Sequence, residues 1–172
     1  RQAEFTQLDL EMSFVRQEEI LDLIETMYIK LVTTLYPHKK ISQQPWPRLN
    51  YDQVMAQHGN DKPDLRKNKN DPDELAFAWV LNFPLFEPAL ADGHYAPSHH
   101  MFTAPKEEDI AKLDTDPAKA KSYQHDLVLN GFEIGGGSVR IHDPKLQAKV
   151  FDLIGFSEKQ KAYFNHMLTA FK

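Results

Sequence analysis

Polar and apolar residues alternate at the start of the chain. The apolar positions lie mostly two residues apart: Phe5, Leu8, Leu10, Met12 and Phe14. That period predicts a β-strand with two different faces over residues 5–14. The polar face would carry Gln7, Asp9 and Glu11, and such a face either meets water or lines a pocket.

The next segment has the period of a helix. Between Gln17 and Tyr36 apolar residues recur at steps of three and four, and neither glycine nor proline occurs before Pro37. Glu18 and Glu19 lie at the positive end of the predicted helix dipole. The pattern predicts a long amphipathic helix.

Glycine and proline divide the middle of the chain. Residues 51–58 are predicted to form a short helix that ends at Gly59, and the polar residues 60–73 a solvated connector. The apolar run 76–86 predicts a largely buried strand.

The last third of the chain combines strands with capped helices. Two strands, 126–130 and 133–142, are predicted to meet at Asn130-Gly131. Helix starts are predicted at three N-caps: Asp116 before Pro117, Asp143 before Pro144, and Ser157, which with Gln160 forms a capping box for a helix over 158–171. The whole pattern predicts an α+β fold in which helices flank an antiparallel sheet.

Composition favours one compact domain. The 172 residues are 41% hydrophobic, enough for an apolar core, and the net charge of −5 neither indicates nor excludes a nucleic-acid partner. There is no cysteine and no apolar run near the roughly 18 residues of a membrane span. We expect a cytoplasmic protein with no membrane partner. Because the first predicted strand begins at once, without an initiating Met, we also expect a longer parent protein.

Two carboxylates on the predicted hairpin are candidate metal ligands. Asp126 and Glu133 are seven residues apart, which on regular strands places them on opposite faces. One bulged residue at Asn130-Gly131 would bring them to the same face, where they could hold Mg²⁺ through oxygen atoms. The alternative is a pair of ordinary surface acids.

A glycine run and an arginine follow on the same predicted strand. Three consecutive glycines, 135–137, weaken a strand and usually indicate that a ligand or another backbone comes close. Arg140 lies between Val139 and Ile141, so its side chain points away from theirs and could clamp a carboxylate or phosphate. A structural salt bridge is the competing interpretation. The adjacent His99 and His100 project differently and have no third ligand at a suitable spacing, which disfavours zinc.

These residues resemble those of bacterial-type aspartyl-tRNA synthetases. Residues 1–11, RQAEFTQLDLE, resemble the second half of motif 2 of that family. Four further stretches follow in the family's order: Asp61 to Arg66, Phe83 to Glu87, His99-His100 with Phe102 to Pro105, and Asn130 to His142. The resemblance therefore covers nearly the whole chain.

The resemblance implies a class II synthetase fold, an antiparallel sheet flanked by helices, and a role for each matching residue. Residues 1–172 would be a partial catalytic domain that runs from the second half of motif 2 to just before motif 3. The implied roles are ATP contact for Gln2, aspartate binding for Gln7, Asp9, His99, His100 and Arg140, and a Mg²⁺ and ATP phosphate site for Asp126 and Glu133. Asp9 would receive the α-ammonium group of aspartate, and Arg140 its side-chain carboxylate. Glu133 and Arg140 would be the catalytic pair.

The implied reaction joins L-aspartate to tRNA in two steps. The α-carboxylate attacks the α-phosphorus of ATP, which gives aspartyl-adenylate and pyrophosphate, and the aspartyl group then passes to the tRNA. Positioning and cations that neutralise the phosphates would drive catalysis. Asparagine would be rejected because a buried Arg140 guanidinium left without a carboxylate costs about 3–5 kcal/mol. The parent would be a homodimer.

This chain departs from the family pattern at several places. Asn82 stands where Asp usually precedes Phe-Pro, and Met101 stands where Pro usually follows the histidine pair. The usual bacterial insertion domain is absent between about residues 67 and 75. Motif 1, the first half of motif 2, motif 3 and the anticodon-binding domain are also missing, so we expect the isolated chain to be inactive. Two alternatives remain: a paralogue that activates an amino acid without tRNA, and a non-catalytic module that keeps only the fold.

Overall fold

The chain forms a larger and a smaller sheet, with helices around them. A computed structural model describes residues 3–171. The strands are β1 (Lys40–Ile41), β2 (Arg48–Asn50), β3 (Glu74–Leu75), β4 (Phe77–Leu81), β5 (Gln124–Leu129) and β6 (Phe132–Ser138). The helices are α1 (Gln17–Leu35), α2 (Tyr51–His58), α3 (Pro144–Leu153), α4 (Glu158–Ala162) and α5 (Asn165–Ala170). Two 3₁₀ segments, Glu107–Asp114 and Pro117–Lys119, lie between β4 and β5.

The larger sheet has the strand order β2-β4-β5-β6. The pairs β4–β5 and β5–β6 are antiparallel, whereas β2 runs parallel to β4 and β1 runs parallel to β3. The predicted α+β fold, a sheet flanked by helices, is confirmed, and the sheets are mixed because of these two parallel pairs. The chain leaves β2 through α2 and a long connector before it enters β4, and such crossover connections join parallel strands.

The two faces of the larger sheet bury different clusters. On one face, Trp79 and Leu127 pack with Leu21 of α1, which covers the sheet. On the other face, Val80 and Val128 pack with residues of α2 and with Phe83. All five residues of β4 are buried, as expected for a strand covered on both faces. The predicted strand 76–86 ends early, at Leu81, and the next residue has a positive φ of 61°.

The β5–β6 hairpin turns at the predicted residues. Asn130 and Gly131 have φ angles of 52° and 87°, the left-handed backbone that a tight two-residue hairpin turn requires. The Asn130 side chain accepts a hydrogen bond from Ala76 N–H and donates one to the Glu74 carbonyl, each at 2.9 Å. The turn is therefore fastened to the start of β4.

The predicted first strand is wrong. Residues 5–14 contain no strand, and Phe5 and Leu8 are 68% and 75% exposed. A strand is stabilised by hydrogen bonds to a neighbouring strand, and none of residues 3–171 pairs with this segment. The alternating pattern is therefore present without the partner that would make it a strand.

The predicted solvated connector is partly an ordered element. Residues 61–66 are half-buried or buried, and the Pro63 side chain is fully buried. Asp64 and Arg66 form an ion pair at 2.7 Å, and the Asp64 Cβ lies 3.5 Å from where a Cβ on Gly131 would be. The segment packs on the hairpin turn, because the glycine leaves room for it.

The helix predictions are mostly confirmed. Helix α1 spans the predicted segment, and α2 ends at Gly59, whose φ is 72°. Ser157 and Gln160 form the predicted capping box, but the predicted helix over 158–171 divides into α4 and α5. Within residues 3–171, no helix is both long and apolar enough to cross a membrane.

Two aspartates with the same predicted capping role differ in the structure. Asp143 accepts hydrogen bonds from Lys145 N–H at 2.7 Å and Leu146 N–H at 3.3 Å, whereas Asp116 makes no capping bond. We therefore predict that Asp143→Ala lowers the free energy of unfolding by about 1 kcal/mol. Asp116→Ala, which loses only an exposed ion pair to Lys119, should lower it by less than about 0.5 kcal/mol. Urea unfolding of both variants tests this, and equal losses would contradict the assignment of the cap.

Candidate active site

The two-residue turn of the β5–β6 hairpin puts two carboxylates on one face of the sheet. Asp126 pairs with Gly136 across the hairpin, but Val128 pairs with Glu133, so Ile134 is an extra residue on β6. Cross-strand partners share a face, and Asp126 lies two residues from Val128, so Asp126 and Glu133 share the face opposite α1. The bulged residue considered at Asn130-Gly131 is not needed, because the two-residue turn alone has this effect. The bulge at Ile134 puts Gly136, and not Gly135, opposite Asp126.

Asp126 is a buried carboxylate. Its side chain is 5% exposed, and Gln124 Nε2 donates a hydrogen bond of 2.9 Å to Oδ1. Burial raises the pKa of Asp126 to about 6; the Gln124 hydrogen bond opposes the rise, and the charges of Glu133 and Asp61 add to it. A cation beside this carboxylate would relieve the cost of its burial.

The glycine run makes room for side chains of β5. A Cβ on Gly136 would lie 2.8 Å from Asp126 Oδ1, and a Cβ on Gly137 would lie 2.9 Å from His125 Nε2. A Cβ on Gly135 would meet no atom within 4 Å. The side chains of Asp126 and His125 lie against two of these glycines. The approach of a ligand or another backbone to the run, expected from the sequence, stays a prediction.

Asp61 and Lys62, for which the sequence predicted no role, also lie at this end of the site. Lys62 Nζ lies 3.4 Å from Glu133 Oε2 and 3.5 Å from Asp61 Oδ1. In the sequence, Asp61 and Lys62 stood out only as part of the motif from Asp61 to Arg66. That motif supported the family resemblance but indicated no chemical role for either residue. Within residues 3–171, no group of three or more acidic or histidine side chains could hold a metal ion by itself.

The other end of β6 carries Arg140 and meets the histidine pair. Thr103 pairs with Arg140 in an antiparallel bridge, and Ile141 N–H donates a 2.9 Å hydrogen bond to the Phe102 carbonyl. These bonds hold the loop against the strand, so Arg140 Nη1 contacts the His100 ring and lies 2.9 Å from its Nδ1. From α3, the fully buried Gln147 donates a 2.9 Å hydrogen bond to the carbonyl of Met101, beside His100.

The Arg140 guanidinium has no carboxylate partner among residues 3–171. Arg48 and Arg66, in contrast, both form ion pairs with acidic side chains. The structural salt bridge considered for Arg140 is therefore not present. Arg140 is also exposed, so the expected cost of leaving a buried guanidinium unpaired does not apply to this arrangement.

The two histidines face opposite ends of the site. Burial, together with the charges of Arg140 and His99, lowers the pKa of His100 to about 4, so His100 is neutral at pH 7. His99 packs edge-on against Phe83, with ring centres 5.0 Å apart, and lines a cavity of about 160 Å³ together with Asp61 and Glu87. Burial lowers the pKa of His99, and the nearby carboxylates, Glu133 first, oppose that shift.

Two predicted site residues among those that the structure describes are not brought to this surface. Gln7 and Asp9 lie in the exposed segment before α1, and neither forms a side-chain hydrogen bond or an ion pair within the described part of the chain. Gln2 lies outside the described residues. The other predicted residues form two groups on β6 and the elements beside it, the acidic group at Glu133 and the Arg140–His100 contact.

Comparison with known proteins gives a family and several relatives. Residues 1–172 match the family model described as tRNA synthetases class II (D, K and N). The chain is 29% identical over 296 residues to an aspartate–tRNA(Asp/Asn) ligase of Rubrobacter xylanophilus, an alignment that covers 100% of this chain and 49% of the relative. It is 48% identical over 103 residues to an aspartate–tRNA ligase of Bacteroides thetaiotaomicron, which covers 59% of this chain and 18% of the relative. The chain thus spans about half the length, or less, of these relatives.

Solved structures share the fold. The aspartyl-tRNA synthetase of Entamoeba histolytica is similar with a TM-score of 0.59 at 19% identity, and the match covers 92% of this chain and 34% of that one. The asparaginyl-tRNA synthetase of the same organism, in complex with asparaginyl-adenylate, is similar with a TM-score of 0.52 at 15% identity, and the match covers 91% of this chain and 37% of that one. At these identities the likeness concerns the fold alone.

The contact between Gly136 and Asp126 predicts unequal effects of two alanine substitutions. Gly136→Ala would place a Cβ 2.8 Å from Asp126 Oδ1 and force the buried carboxylate to move, at a cost of about 1–3 kcal/mol in the free energy of unfolding. Gly135→Ala is the matched control, because its Cβ would meet nothing within 4 Å. Urea unfolding measures both. A Gly135 variant that loses as much stability as the Gly136 variant would show that the strand, and not the contact, is sensitive.

The buried Asp126 predicts a pH dependence of stability. Since its pKa rises from 3.8 in the unfolded chain to about 6 in the folded chain, the folded state binds the proton more tightly. This group therefore costs stability progressively as the pH rises from about 4 to 6, and the full cost is present above that range. Asp126→Asn removes the cost, so its free energy of unfolding should increase relative to the native chain by roughly 1–3 kcal/mol between pH 4 and 7. Urea unfolding across that range should reveal it, and a pH-independent difference would contradict it.

Proposed function

Because the chain belongs to the family of class II tRNA synthetases for D, K and N, we propose that it is part of the catalytic domain of an aspartate–tRNA ligase. The parent protein activates L-aspartate with ATP. The α-carboxylate oxygen attacks the α-phosphorus, the bond to the leaving pyrophosphate breaks, and aspartyl-adenylate forms. A hydroxyl of the terminal ribose of tRNA then attacks the aspartyl carbonyl and releases AMP.

The observation that carries this proposal is the unpaired Arg140 guanidinium on the same segment as Glu133. Its planar fork of donors fits a carboxylate through two parallel hydrogen bonds, and no acidic side chain within residues 3–171 takes that position. His100 is neutral and contacts the guanidinium, so it can orient Arg140 without repelling it as a second cation. This end of the site suits the side chain of aspartate better than that of asparagine or lysine.

The acidic end suits the metal that accompanies ATP. Asp126 and Glu133 offer oxygen donors on one face, and the burial of Asp126 favours a neighbouring cation, so the residues fit Mg²⁺. Two carboxylates leave coordination positions for water and phosphate oxygens. When bound there, Mg²⁺ would neutralise charge that develops on the phosphates. Glu133 would hold the ion, and Asp126 would orient it from the sheet.

The remaining roles follow the family motifs residue by residue. Gln2 would contact ATP, Gln7 would face the aspartate, and Asp9 would bind its α-ammonium group. His99 would close over the substrate from the loop that also carries His100. To reach the pocket, the exposed segment that carries Gln7 and Asp9 would have to pair as a strand beside the sheet. Its alternation of polar and apolar residues is typical of a strand.

The organisation of the parent protein is also part of the proposal. We infer that residues 1–172 run from the second half of motif 2 to just before motif 3, and that the usual insertion is absent between about residues 67 and 75. The alignment with the Rubrobacter relative supports this, since it spans 296 positions and this chain supplies 172, a difference of 124. tRNA binding and a homodimer would require the rest of the parent.

The direct test is ATP–pyrophosphate exchange by the parent protein with aspartate, asparagine and lysine supplied separately. Exchange with aspartate alone would support the proposal. Exchange with asparagine or lysine instead would assign the site to a different substrate of the same family. A folded parent with no exchange for any of the three would favour a non-catalytic module.

Arg140 predicts the outcome for one variant of the parent. Arg140→Leu removes the carboxylate clamp, so kcat/KM for aspartate in the exchange reaction should fall about 100-fold or more, while the KM for ATP changes little. Arg140→Lys keeps the charge but loses the fork, and an intermediate loss is expected. If the Arg140→Leu enzyme keeps the native kcat/KM for aspartate, the assignment of Arg140 to the aspartate side chain is wrong.

A further inference from the structure

We propose that Lys62 is an internal counter-cation of the acidic end of the site and competes with a divalent cation for Glu133. The inference rests on the proposed function, because it takes Asp126 and Glu133 as the ligands of the metal. It adds Lys62, which lies in the segment before β3, and proposes that this residue affects the conditions under which the metal binds.

The geometry places the ammonium group among three carboxylates. Lys62 Nζ is within 3.5 Å of oxygens of both Asp61 and Glu133, and its charge also acts on the buried Asp126. One cation therefore acts on all three acids of this group. A metal ion on Glu133 would lie next to the ammonium group, and two cations so close together repel each other.

The backbone of this segment holds Lys62 in that position. Lys62 N–H donates a 2.8 Å hydrogen bond to the side chain of Asn60, and the next residue, Pro63, is fully buried. The Lys62 carbonyl oxygen lies 3.8 Å from where a Cβ on Gly131 would be. The Lys62 backbone therefore packs against the turn that precedes Glu133, which places its side chain next to that residue.

The consequence is that the metal and the nucleotide bind better together than the metal alone. A free divalent cation must displace the ammonium group from Glu133 and leave it beside Asp61, with one carboxylate contact fewer. Phosphate oxygens that arrive with the metal give the displaced ammonium group a new anionic partner. Lys62 would in this way disfavour the bare metal at the site.

The test is Mn²⁺ binding to the 172-residue chain, followed by the electron paramagnetic resonance signal of free Mn²⁺. Lys62→Gln should bind Mn²⁺ roughly two- to fivefold more tightly than the native chain, the range expected for loss of one partly exposed charge contact. Lys62→Arg keeps the charge and should behave like the native chain. Lys69→Gln is the matched control, because it removes an exposed lysine of the same connector that makes no ion pair with Glu133.

Glu133→Gln separates failure of this inference from failure of the metal site. If Glu133→Gln weakens Mn²⁺ binding but Lys62→Gln leaves it unchanged or weaker, the role of Lys62 is wrong and the metal site stands. If Glu133→Gln has no effect, the metal site itself is wrong, and the counter-cation role falls with it. If Lys62→Gln and Lys69→Gln tighten Mn²⁺ binding equally, the effect comes from the change in net charge alone. That result would also overturn the inference.

Discussion

The pairing of β5 with β6 is the constraint on which the site depends. Because directly paired residues share a face, the turn at Asn130-Gly131 places Glu133 opposite Val128 and on the face of Asp126. The extra residue at Ile134 then puts Gly136 opposite Asp126, where a side chain would displace the buried carboxylate. Without that extra residue, Gly135 and not Gly136 would lie opposite Asp126.

The site has opposite charges at its two ends. Carboxylates gather at Glu133. Arg140, which has no carboxylate partner within residues 3–171, lies seven residues further along the chain, where the histidine loop joins the strand. An amino acid with an acidic side chain and a nucleotide with its metal have the complementary arrangement. Other interactions in this part of the molecule, such as the Gln147 bond to Met101 and the packing of residues 61–66 on the turn, hold these two ends in place.

Patterns within a few residues predicted the local elements. The other features depend on contacts between residues that are far apart in the sequence. Helix α1, the turn at Asn130-Gly131 and the caps at Asp143 and Ser157 follow from signals within a few residues. The strand expected at 5–14 needs a neighbouring strand, and the sequence pattern does not report whether one is present. Lys62 was assigned to a solvated connector because its neighbours in the sequence are polar. That pattern gives no sign of the contact with Glu133, which is 71 residues away. A common face for Asp126 and Glu133 was expected only with a bulged residue, whereas the two-residue turn alone produces it, and nothing in the glycine run indicates the bulge at Ile134.

The central claim is that the substrate lies on this face of the β5–β6 hairpin. Hydrogen–deuterium exchange of the parent protein, with and without a non-hydrolysable aspartyl-adenylate analogue, tests it most directly. The account predicts slower exchange in residues 99–104 and 133–141, while α1 on the opposite face keeps its rate. Protection confined to α1, or absent from both segments at saturating analogue, would contradict it.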